Sequence, residues 1–299
     1  MRLATYARGS EERAGLVIGE TIYDVQACSS YFGMPPLPSQ VLGILESGEF
    51  QALRDLGAKF AGGGLAGPDL PLSCWAAMSE VRLMAPIPRP PKIICMGLNY
   101  RDHAEEQGAR LPDVPLIFGK ASSAVIGPGQ PIVIPKGSEK TDYEGELAFV
   151  VGKRMKRVAA ERASEGIFGY CVLNDVTERE IQRERVYYRS KSIDTFAPMG
   201  PWIVTSDEVG DASNLKITTK VNGEVRQSSS TSNLVFTPPQ IIAFVTRYIT
   251  LEPGDVIATG TPGGVGVFRK PPVFLKQGDT VEITIEGIGT LTNPVTAEA

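Results

Sequence analysis

The chain has 299 residues, with 34 acidic and 30 basic side chains and a formal net charge of −4. This balance argues against nucleic acid or an anionic membrane as the main partner. No apolar run reaches the ~18 residues that a membrane span needs, and no apolar segment typical of a secretory signal follows Met1. The four cysteines are widely spaced, which excludes a zinc ribbon and predicts buried, reduced thiols in a cytoplasmic protein.

The N-terminal part of the chain is predicted to form a small α+β domain. Apolar or β-branched runs predict strands over 3–7, 14–18 and 21–25. Ser39 is placed to cap a helix that follows. The segment Ala85-Pro-Ile-Pro-Arg-Pro-Pro91 contains four prolines, which neither a helix nor a central strand tolerates. We therefore predict two domains, residues 1–85 and 86–299.

The second domain is predicted to consist mostly of strands. An apolar strand over 92–96 opens it, and further strands are expected over 147–151, 170–173, 202–205, 216–221, 256–259 and 281–285. Asn222-Gly223 predicts a hairpin turn, because both residues accept positive φ. Thr237 is the predicted cap of one clear helix. The apolar stripe of that helix comprises Ile241, Ile242, Val245, Tyr248 and Ile249. The predicted fold class is mostly β.

Three carboxylates lie at the ends of predicted apolar strands, where burial would leave their charge uncompensated. Glu144 and Glu146 enter a predicted strand two residues apart, so their side chains share one face. Ala148 and Val150 continue that face as apolar residues, which directs both glutamates toward the core. Asp175 ends another apolar strand. Buried carboxylates repel one another, and three of them form a site for Mg²⁺, Mn²⁺ or Ca²⁺. The alternative is a solvated edge strand with surface glutamates.

The chain contains a single histidine, His103. Glu106 follows it by three residues, so a helical turn places both on one side. A carboxylate there can hold one imidazole nitrogen while the other takes a proton from water, which is general base catalysis. Taken alone, the pattern favours a surface histidine, because charged residues such as Asp102 and Glu105 surround it.

Two loops contain further candidate residues. Lys191 lies in the segment 188–202, where an ammonium group can polarise a carbonyl or stabilise an enolate. An ordinary surface lysine is the alternative. The glycine-rich segment 259–266 lacks the ending of a P-loop, which argues against nucleotide binding. Its backbone can approach a small anion closely, and a plain tight turn explains it equally well.

Together these motifs resemble one family, the fumarylacetoacetate hydrolase family. The resemblance runs from about Pro86 to Leu291 and depends on the shared order and spacing of short motifs. They are Gly97-Leu-Asn-Tyr-x-x-His103-x-x-Glu106, Asp142-Tyr-Glu-Gly-Glu-Leu147, Asn174-Asp-Val-Thr177, Lys191-Ser-x-Asp-Thr-Phe-Ala-Pro198, Asn222-Gly-Glu224 and the run from Pro253 to Gly266.

The resemblance implies a fold and a set of site residues. The fold is mostly β (α+β overall), with mixed sheets wrapped into a roll and a small N-terminal domain, in a homodimer. The implied ligands of Mg²⁺ or Mn²⁺ (Ca²⁺ is possible in a crystal) are Glu144, Glu146 and Asp175. The implied catalytic residues are His103 and Glu106, on a lid that orders over substrate, and Lys191 at the reacting carbonyl. The implied substrate contacts are Arg179, Gln182 and Thr261.

The resemblance also implies a small anionic 2-oxo acid as substrate. The first expectation is a hydrolase that cleaves a C–C bond in acylpyruvate- or fumarylpyruvate-like 2,4-dioxo acids, with a His–Glu pair that activates water and a metal that stabilises the enolate. The alternative is an isomerase, tautomerase or decarboxylase of related acids, such as hydroxymuconate-type dioates or oxaloacetate. A non-catalytic module that binds 2-oxo acids is a more remote alternative.

Overall fold

The computed structural model describes residues 1–61, 67–184 and 186–299. The strands are β1 (Arg2–Arg8), β2 (Glu11–Ile18), β3 (Thr21–Asp24), β4 (Trp75–Ala77), β5 (Arg82–Leu83), β6 (Ile93–Gly97), β7 (Leu116–Lys120), β8 (Val125–Ile126), β9 (Ile132–Ile134), β10 (Thr141–Asp142), β11 (Gly145–Val151), β12 (Ile167–Asn174), β13 (Thr177–Glu178), β14 (Ala197–Thr205), β15 (Lys216–Val221), β16 (Glu224–Ser230), β17 (Val256–Ala258), β18 (Thr280–Ile285) and β19 (Gly289–Ala297). The α-helices are α1 (Val25–Tyr31), α2 (Val41–Ser47), α3 (Phe50–Ala58), α4 (Arg101–Gln107), α5 (Ala160–Ala163), α6 (Arg179–Arg183), α7 (Tyr187–Lys191), α8 (Ser206–Val209) and α9 (Pro238–Val245).

The predicted mostly β fold with mixed sheets is confirmed. The large sheet has the order β4-β3-β2-β1-β14-β12-β11-β17-β6-β7, with β5 paired to β1 and β8 paired to β14. Its pairs are antiparallel except for β17 with β6 and β14 with β8. A second sheet has the order β16-β15-β18-β19-β9, in which only β19 and β9 run parallel. Asn222 and Gly223, both at positive φ, form the predicted hairpin turn between β15 and β16.

The N-terminal strands extend the same large sheet. Arg2 and Leu3 of β1 pair with Val204 and Ile203 of β14, so backbone hydrogen bonds connect the two parts of the chain. One apolar cluster also spans both parts, since it includes Leu45 from the first and residues of β12 and β17 from the second. The division at residue 85 stays a prediction.

Strand β11 lies in the middle of the large sheet and is buried throughout. It pairs with β12 on one side and with β17 on the other. Its side chains alternate between two apolar clusters: Ala148 and Val150 pack in one, and Leu147 and Phe149 in the other. A strand in this position holds any polar side chain at its end away from bulk water, which is where Glu146 lies.

Two details of the predicted helices are wrong. Helix α2 begins at Val41 with Gln40 at its N-cap, so Ser39 does not cap it. Thr237 is at the N-cap of α9 as predicted, and its peptide N–H donates to Oε1 of Gln240 (2.9 Å). That helix ends at Val245, however, so Tyr248 lies outside it with 77% of its surface exposed. The C-terminal part of the predicted apolar stripe therefore does not pack in the core.

The predicted state of the cysteines is confirmed, because all four are free and buried. Among the helices in the described ranges, none has both the length and the apolar character that a membrane crossing requires.

Candidate metal centre and active site

Three carboxylates meet where the buried strands β11 and β12 come together. Glu144 precedes β11, Glu146 lies in it, and Asp175 follows β12. The strands are antiparallel with Gly145 opposite Asn174, so the start of one adjoins the end of the other. One oxygen of each carboxylate lies within 4.8 Å of the others, and all three residues are buried. The alternative of surface glutamates on an edge strand is therefore wrong.

Two buried lysines neutralise part of this acidic cluster. The Nζ of Lys191 donates to Oε2 of Glu144 (2.8 Å), to Oδ2 of Asp175 (2.7 Å) and to Oγ1 of Thr177 (2.8 Å). The Nζ of Lys120 donates to Oδ1 of Asp175 (2.5 Å). Lys191 is 2% exposed, which excludes an ordinary surface lysine. Both ammonium groups therefore act as fixed positive charges beneath the cavity.

Arg179 is the third cation of the cluster. Its Nη1 forms an ion pair with Oε1 of Glu144 (2.7 Å), and its Nε donates to Oδ2 of Asp142 (2.8 Å). The same Nη1 also donates to Oε1 of Gln182 (2.9 Å). The resemblance implied that Arg179 and Gln182 contact substrate, and the structure shows what orients both of them beside Glu144.

The carboxylates differ in how well their charge is compensated. Burial raises the pKa of Glu144, but the charges of Lys191 and Arg179 outweigh burial and lower that pKa to about 2. Burial, followed by the charges of Asp175 and Glu144, raises the pKa of Glu146 well above its usual range. Glu146 accepts a hydrogen bond from the peptide N–H of Gly260 (2.8 Å). Three buried carboxylates, one of them short of positive charge, are a donor set that suits a hard divalent cation.

His103 and Glu106 lie on helix α4. The Nδ1 of His103 lies 3.2 Å from Oε2 of Glu106, and His103 is only 8% exposed, unlike a surface histidine. The other carboxylate oxygen of Glu106 accepts the peptide N–H of Gly264 (2.9 Å). Two contacts thus hold the Glu106 carboxylate in place, which orients the imidazole.

One cavity of about 770 Å³ brings the predicted residues together. The predicted site residues that line it are His103, Glu144, Glu146, Arg179, Gln182, Lys191 and Thr261. Asp175 lies behind Lys191, and Glu106 supports His103. A small anion in this cavity therefore meets a hard-cation site, fixed positive charges and an imidazole that can accept a proton.

The glycine-rich segment binds carboxylates of the protein itself. The peptide N–H groups of Gly260 and Gly264 donate to Glu146 and Glu106, and that of Gly266 donates to Asp142 (2.8 Å). The backbone of this segment was predicted to approach a small anion closely, and in the structure the groups that it approaches are carboxylates of the protein.

Thr261 is tied to its surroundings through both roles of its hydroxyl. Its Oγ1 donates to the carbonyl oxygen of Gly145 (3.0 Å) and accepts from Nε2 of Gln227 (2.8 Å). The resemblance implied a contact with the substrate carboxylate. The structure places Thr261 in the cavity wall, next to the start of β11.

Gly266 has no room for a side chain. A Cβ there would lie 2.0 Å from the carbonyl oxygen of Val273 and 2.5 Å from Oδ1 of Asp142. Gly266→Ala is expected to lower the free energy of unfolding by about 1–3 kcal/mol and to move Asp142 away from Arg179. Chemical denaturation measures the loss. Gly119→Ala is the control, because its nearest contact would be an ordinary 3.4 Å. Equal stability of the two variants would contradict this reading.

Sequence reasoning missed several residues of the site. Lys120 ends the short strand β7, and a lysine at the end of an apolar run was the available signal. Asp142 is the first residue of the motif 142–147, in which only Glu144 and Glu146 were assigned a role. Gln107 follows His103 by four residues on the same helix, and its side-chain amide lies 2.7 Å from Nε2 of His103. The i, i+4 spacing predicts that contact once the helix is assigned.

Lys120→Met is expected to lower the free energy of unfolding of the metal-free protein by about 3–5 kcal/mol, because buried Asp175 loses one of its two ammonium partners. Chemical denaturation in a chelator measures this change. The matched control is Lys140→Met, because Lys140 pairs with Glu180 at the surface, where such pairs contribute little. A small loss in both variants would show that Lys120 does not compensate the cluster.

The fold and the site define a mostly β protein that combines a candidate divalent-metal centre with an acid–base pair in one cavity, which is the equipment of an enzyme. Residues 92–296 match the family described as fumarylacetoacetate (FAA) hydrolase C-terminal. The chain belongs to the fumarylacetoacetate hydrolase family and is an enzyme of that family. The resemblance read from the short motifs is thereby confirmed.

Three proteins are similar to this chain over most or all of its length. The chain is 45% identical over 267 residues to mitochondrial oxaloacetate tautomerase FAHD2A of Bos taurus, covering 87% of this chain and 81% of that protein. It is 41% identical to oxaloacetate tautomerase YisK of Bacillus subtilis, and the match covers 99% of this chain and 100% of that protein. A solved structure of maleylpyruvate hydrolase from Sphingobium sp. SYK-6, in complex with manganese(II) and pyruvate, matches with a TM-score of 0.78 at 34% identity over the full length of both chains.

Proposed function

We propose that this chain is a divalent-metal-dependent oxaloacetate tautomerase, which interconverts the enol and keto forms of that 2-oxo dicarboxylate. The observation that carries the proposal is the 41–45% identity to oxaloacetate tautomerases over most or all of the chain. Tautomerisation was the alternative from sequence, and the similarity supports it better than the first expectation of C–C hydrolysis.

The site chemistry agrees with an anionic 2-oxo acid. Glu144, Glu146 and Asp175 would hold Mg²⁺ or Mn²⁺, which when bound supplies a Lewis acid that stabilises an enolate. The positive charges of Lys191 and Arg179, together with those of the bound metal ion, would outweigh the three carboxylates, so a dianion would not meet a net negative wall. The manganese and pyruvate in the structurally similar hydrolase support the same pairing of ion and 2-oxo acid.

His103 is the proposed proton carrier. In the enol-to-keto direction its Nε2 takes the proton from the enol oxygen, and the electron pair of that O–H bond forms the C2=O double bond. The C2=C3 electron pair then takes the same proton from Nε2 to form the C3–H bond, which returns the imidazole to its neutral form. Glu106 stabilises the imidazolium that exists between the two transfers, because it accepts from Nδ1. No bond between carbon atoms breaks, and no atom of water enters the product.

Hydrolysis remains the second candidate, favoured by the similarity to maleylpyruvate hydrolase. In that reaction His103 takes its proton from water, and the resulting hydroxide attacks the distal carbonyl of a 2,4-dioxo acid. The bond between that carbonyl carbon and C3 then breaks, and the pyruvate-type enolate that leaves takes the proton from His103 at C3. The same residues serve both reactions, so the source of the proton distinguishes them.

Two further parts of the proposal concern assembly and location. We propose a homodimer, supported by apolar side chains at the cavity mouth such as Leu116, Ile117 and Tyr187, which are 48%, 41% and 48% exposed. Light scattering of the purified protein tests this, and a monomer would contradict it. Four free, buried thiols support a reducing compartment such as the cytoplasm.

The test of function follows the enol absorbance of freshly dissolved oxaloacetate with purified protein, first in Mg²⁺ or Mn²⁺ and then in EDTA. Metal-dependent acceleration of enol loss, with no pyruvate formed, is the expected result. Pyruvate formation from oxaloacetate would indicate a decarboxylase. Cleavage of acetylpyruvate without any effect on oxaloacetate would select the hydrolase.

A further inference from the structure

Both ring nitrogens of His103 have partners on helix α4. Nδ1 lies 3.2 Å from Oε2 of Glu106, and Nε2 lies 2.7 Å from the side-chain amide nitrogen of Gln107. An ionised carboxylate only accepts hydrogen bonds, and an amide nitrogen only donates them. These two contacts fit the tautomer that has its proton on Nδ1 and its lone pair on Nε2 directed at the Gln107 amide.

Helix geometry sets the position of Gln107. The residue follows His103 by four positions, which places it one turn later on the same face. Helix α4 ends immediately after it, at Gly108 with φ of 62°. Gln107 is half-buried and lines the same cavity as His103 and Glu144. Its amide therefore occupies the hydrogen-bonding direction through which His103 faces the cavity.

A water molecule and the Gln107 amide exclude each other at this position. Nε2 has a single lone pair, which accepts one hydrogen bond. A hydrolytic water must donate to that lone pair before His103 can take its proton. A free water competes poorly with an amide that the helix holds in place. A substrate bound in the cavity is held in place as well, so it can bring its own acidic proton to the base.

We propose that Gln107 determines the reaction selectivity of this enzyme. By donating to Nε2, it acts with Glu106 to hold His103 as the Nδ1–H tautomer and keeps water from the base, so that proton transfer within a bound 2-oxo acid is favoured over hydrolysis. This inference rests on the proposed function. Gln107 is a positioning residue, because it acts through His103.

The single histidine makes the tautomer directly observable. Protein labelled with ¹⁵N-histidine and expressed without a histidine tag contains one imidazole. Long-range ¹H–¹⁵N spectra at neutral pH are expected to show protonated Nδ1 and unprotonated Nε2. Glu106 keeps the proton on Nδ1 in Gln107→Met, but Nε2 loses its hydrogen-bond donor, so the ¹⁵N resonance of Nε2 is expected to move toward that of a free lone pair. Protonated Nε2 in the wild type, or an unchanged spectrum in the variant, would overturn the proposal without any activity measurement.

The kinetic test compares two reactions of the same variant. Tautomerisation of oxaloacetate and hydrolysis of acetylpyruvate are measured with Mn²⁺ for the wild type, Gln107→Met and Gln107→Glu. Gln107→Met is expected to raise the ratio of hydrolysis to tautomerisation in kcat/KM roughly five- to tenfold, the factor that one hydrogen bond contributes. Gln107→Glu is expected to slow both reactions, because a carboxylate at Nε2 favours the imidazolium. Glu105→Met, an exposed change on the same helix, is the control and should leave the ratio unchanged.

The outcomes separate this proposal from the proposed function. If Gln107→Met slows both reactions equally, Gln107 has a merely structural role and the selectivity proposal fails. If the wild type does not act on oxaloacetate, the proposed function fails. The ¹⁵N spectra and the rate of acetylpyruvate hydrolysis in Gln107→Met still decide the role of Gln107 in that case.

Discussion

A His103→Ala variant is expected to lose oxaloacetate tautomerisation by about 10²–10⁴-fold, because a positioned general base contributes a factor of this size. The chain has no second histidine to replace it. The imidazole contacts Glu106 and Gln107 and makes no hydrogen bond to Glu144, Glu146 or Asp175. Metal binding is therefore expected to persist. The enol-band assay measures the first effect, and titration calorimetry with Mn²⁺ measures the second.

Two comparisons sharpen this experiment. Glu106→Gln keeps the size of the side chain and removes its charge, so the imidazolium loses its stabilising partner and a smaller loss of rate is expected. Full activity in His103→Ala would refute the assignment of the base. A variant that loses Mn²⁺ binding together with activity would instead assign His103 to the metal centre.

A Glu146→Gln variant is expected to lose divalent-metal binding and to lower kcat/KM by more than about 100-fold, since even groups that only support metal ligands contribute 10–100-fold. In the metal-free protein, Glu146 is the carboxylate that lacks a countercharge, and burial together with Asp175 and Glu144 raises its pKa. Replacing it by a neutral amide is therefore expected to preserve stability in EDTA. The stabilisation by added Mn²⁺, about 2.7 kcal/mol at a free concentration of about 100 times Kd, is expected to disappear.

Asp175→Asn is the matched variant for this prediction. Asp175 accepts hydrogen bonds from both Lys120 and Lys191, so its replacement leaves two buried ammonium groups short of a partner. Metal binding is expected to be lost here as well, but the metal-free protein is also expected to lose stability. Thermal unfolding with and without EDTA distinguishes the two variants. Equal destabilisation of both would contradict the uneven charge compensation of the cluster.

Local patterns were sufficient for much of the fold and the site. The apolar runs predicted most of the strands, because burial on two faces of a sheet demands continuous apolar side chains. The spacing of Glu144 and Glu146 predicted a shared face, and that of His103 and Glu106 predicted a shared side of a helix. Each of these relations depends only on the repeat of one element, so no distant part of the chain is needed to see it.

The errors have a different origin. Helix α9 ends at Val245 although the apolar pattern continues to Ile249, and Tyr248 and Ile249 are 77% and 37% exposed. The surface alternatives for Glu146, Lys191 and His103 were plausible on composition alone. Burial decided against them. For Glu146, burial depends on which strands lie on either side of β11.

Short motifs and periodic patterns were enough to identify the family, the mostly β fold and the candidate residues Glu144, Glu146, Asp175, His103 and Lys191, because such patterns are local properties of the chain. How the charges of these groups compensate one another became visible in the three-dimensional arrangement. Lys120 pairs with Asp175, and Glu106 accepts a hydrogen bond from Gly264, although these residues lie far apart in the chain. The position of β11 in the middle of the sheet likewise depends on strands that are distant in sequence. Such contacts follow from the packing of sheets, which no local pattern encodes.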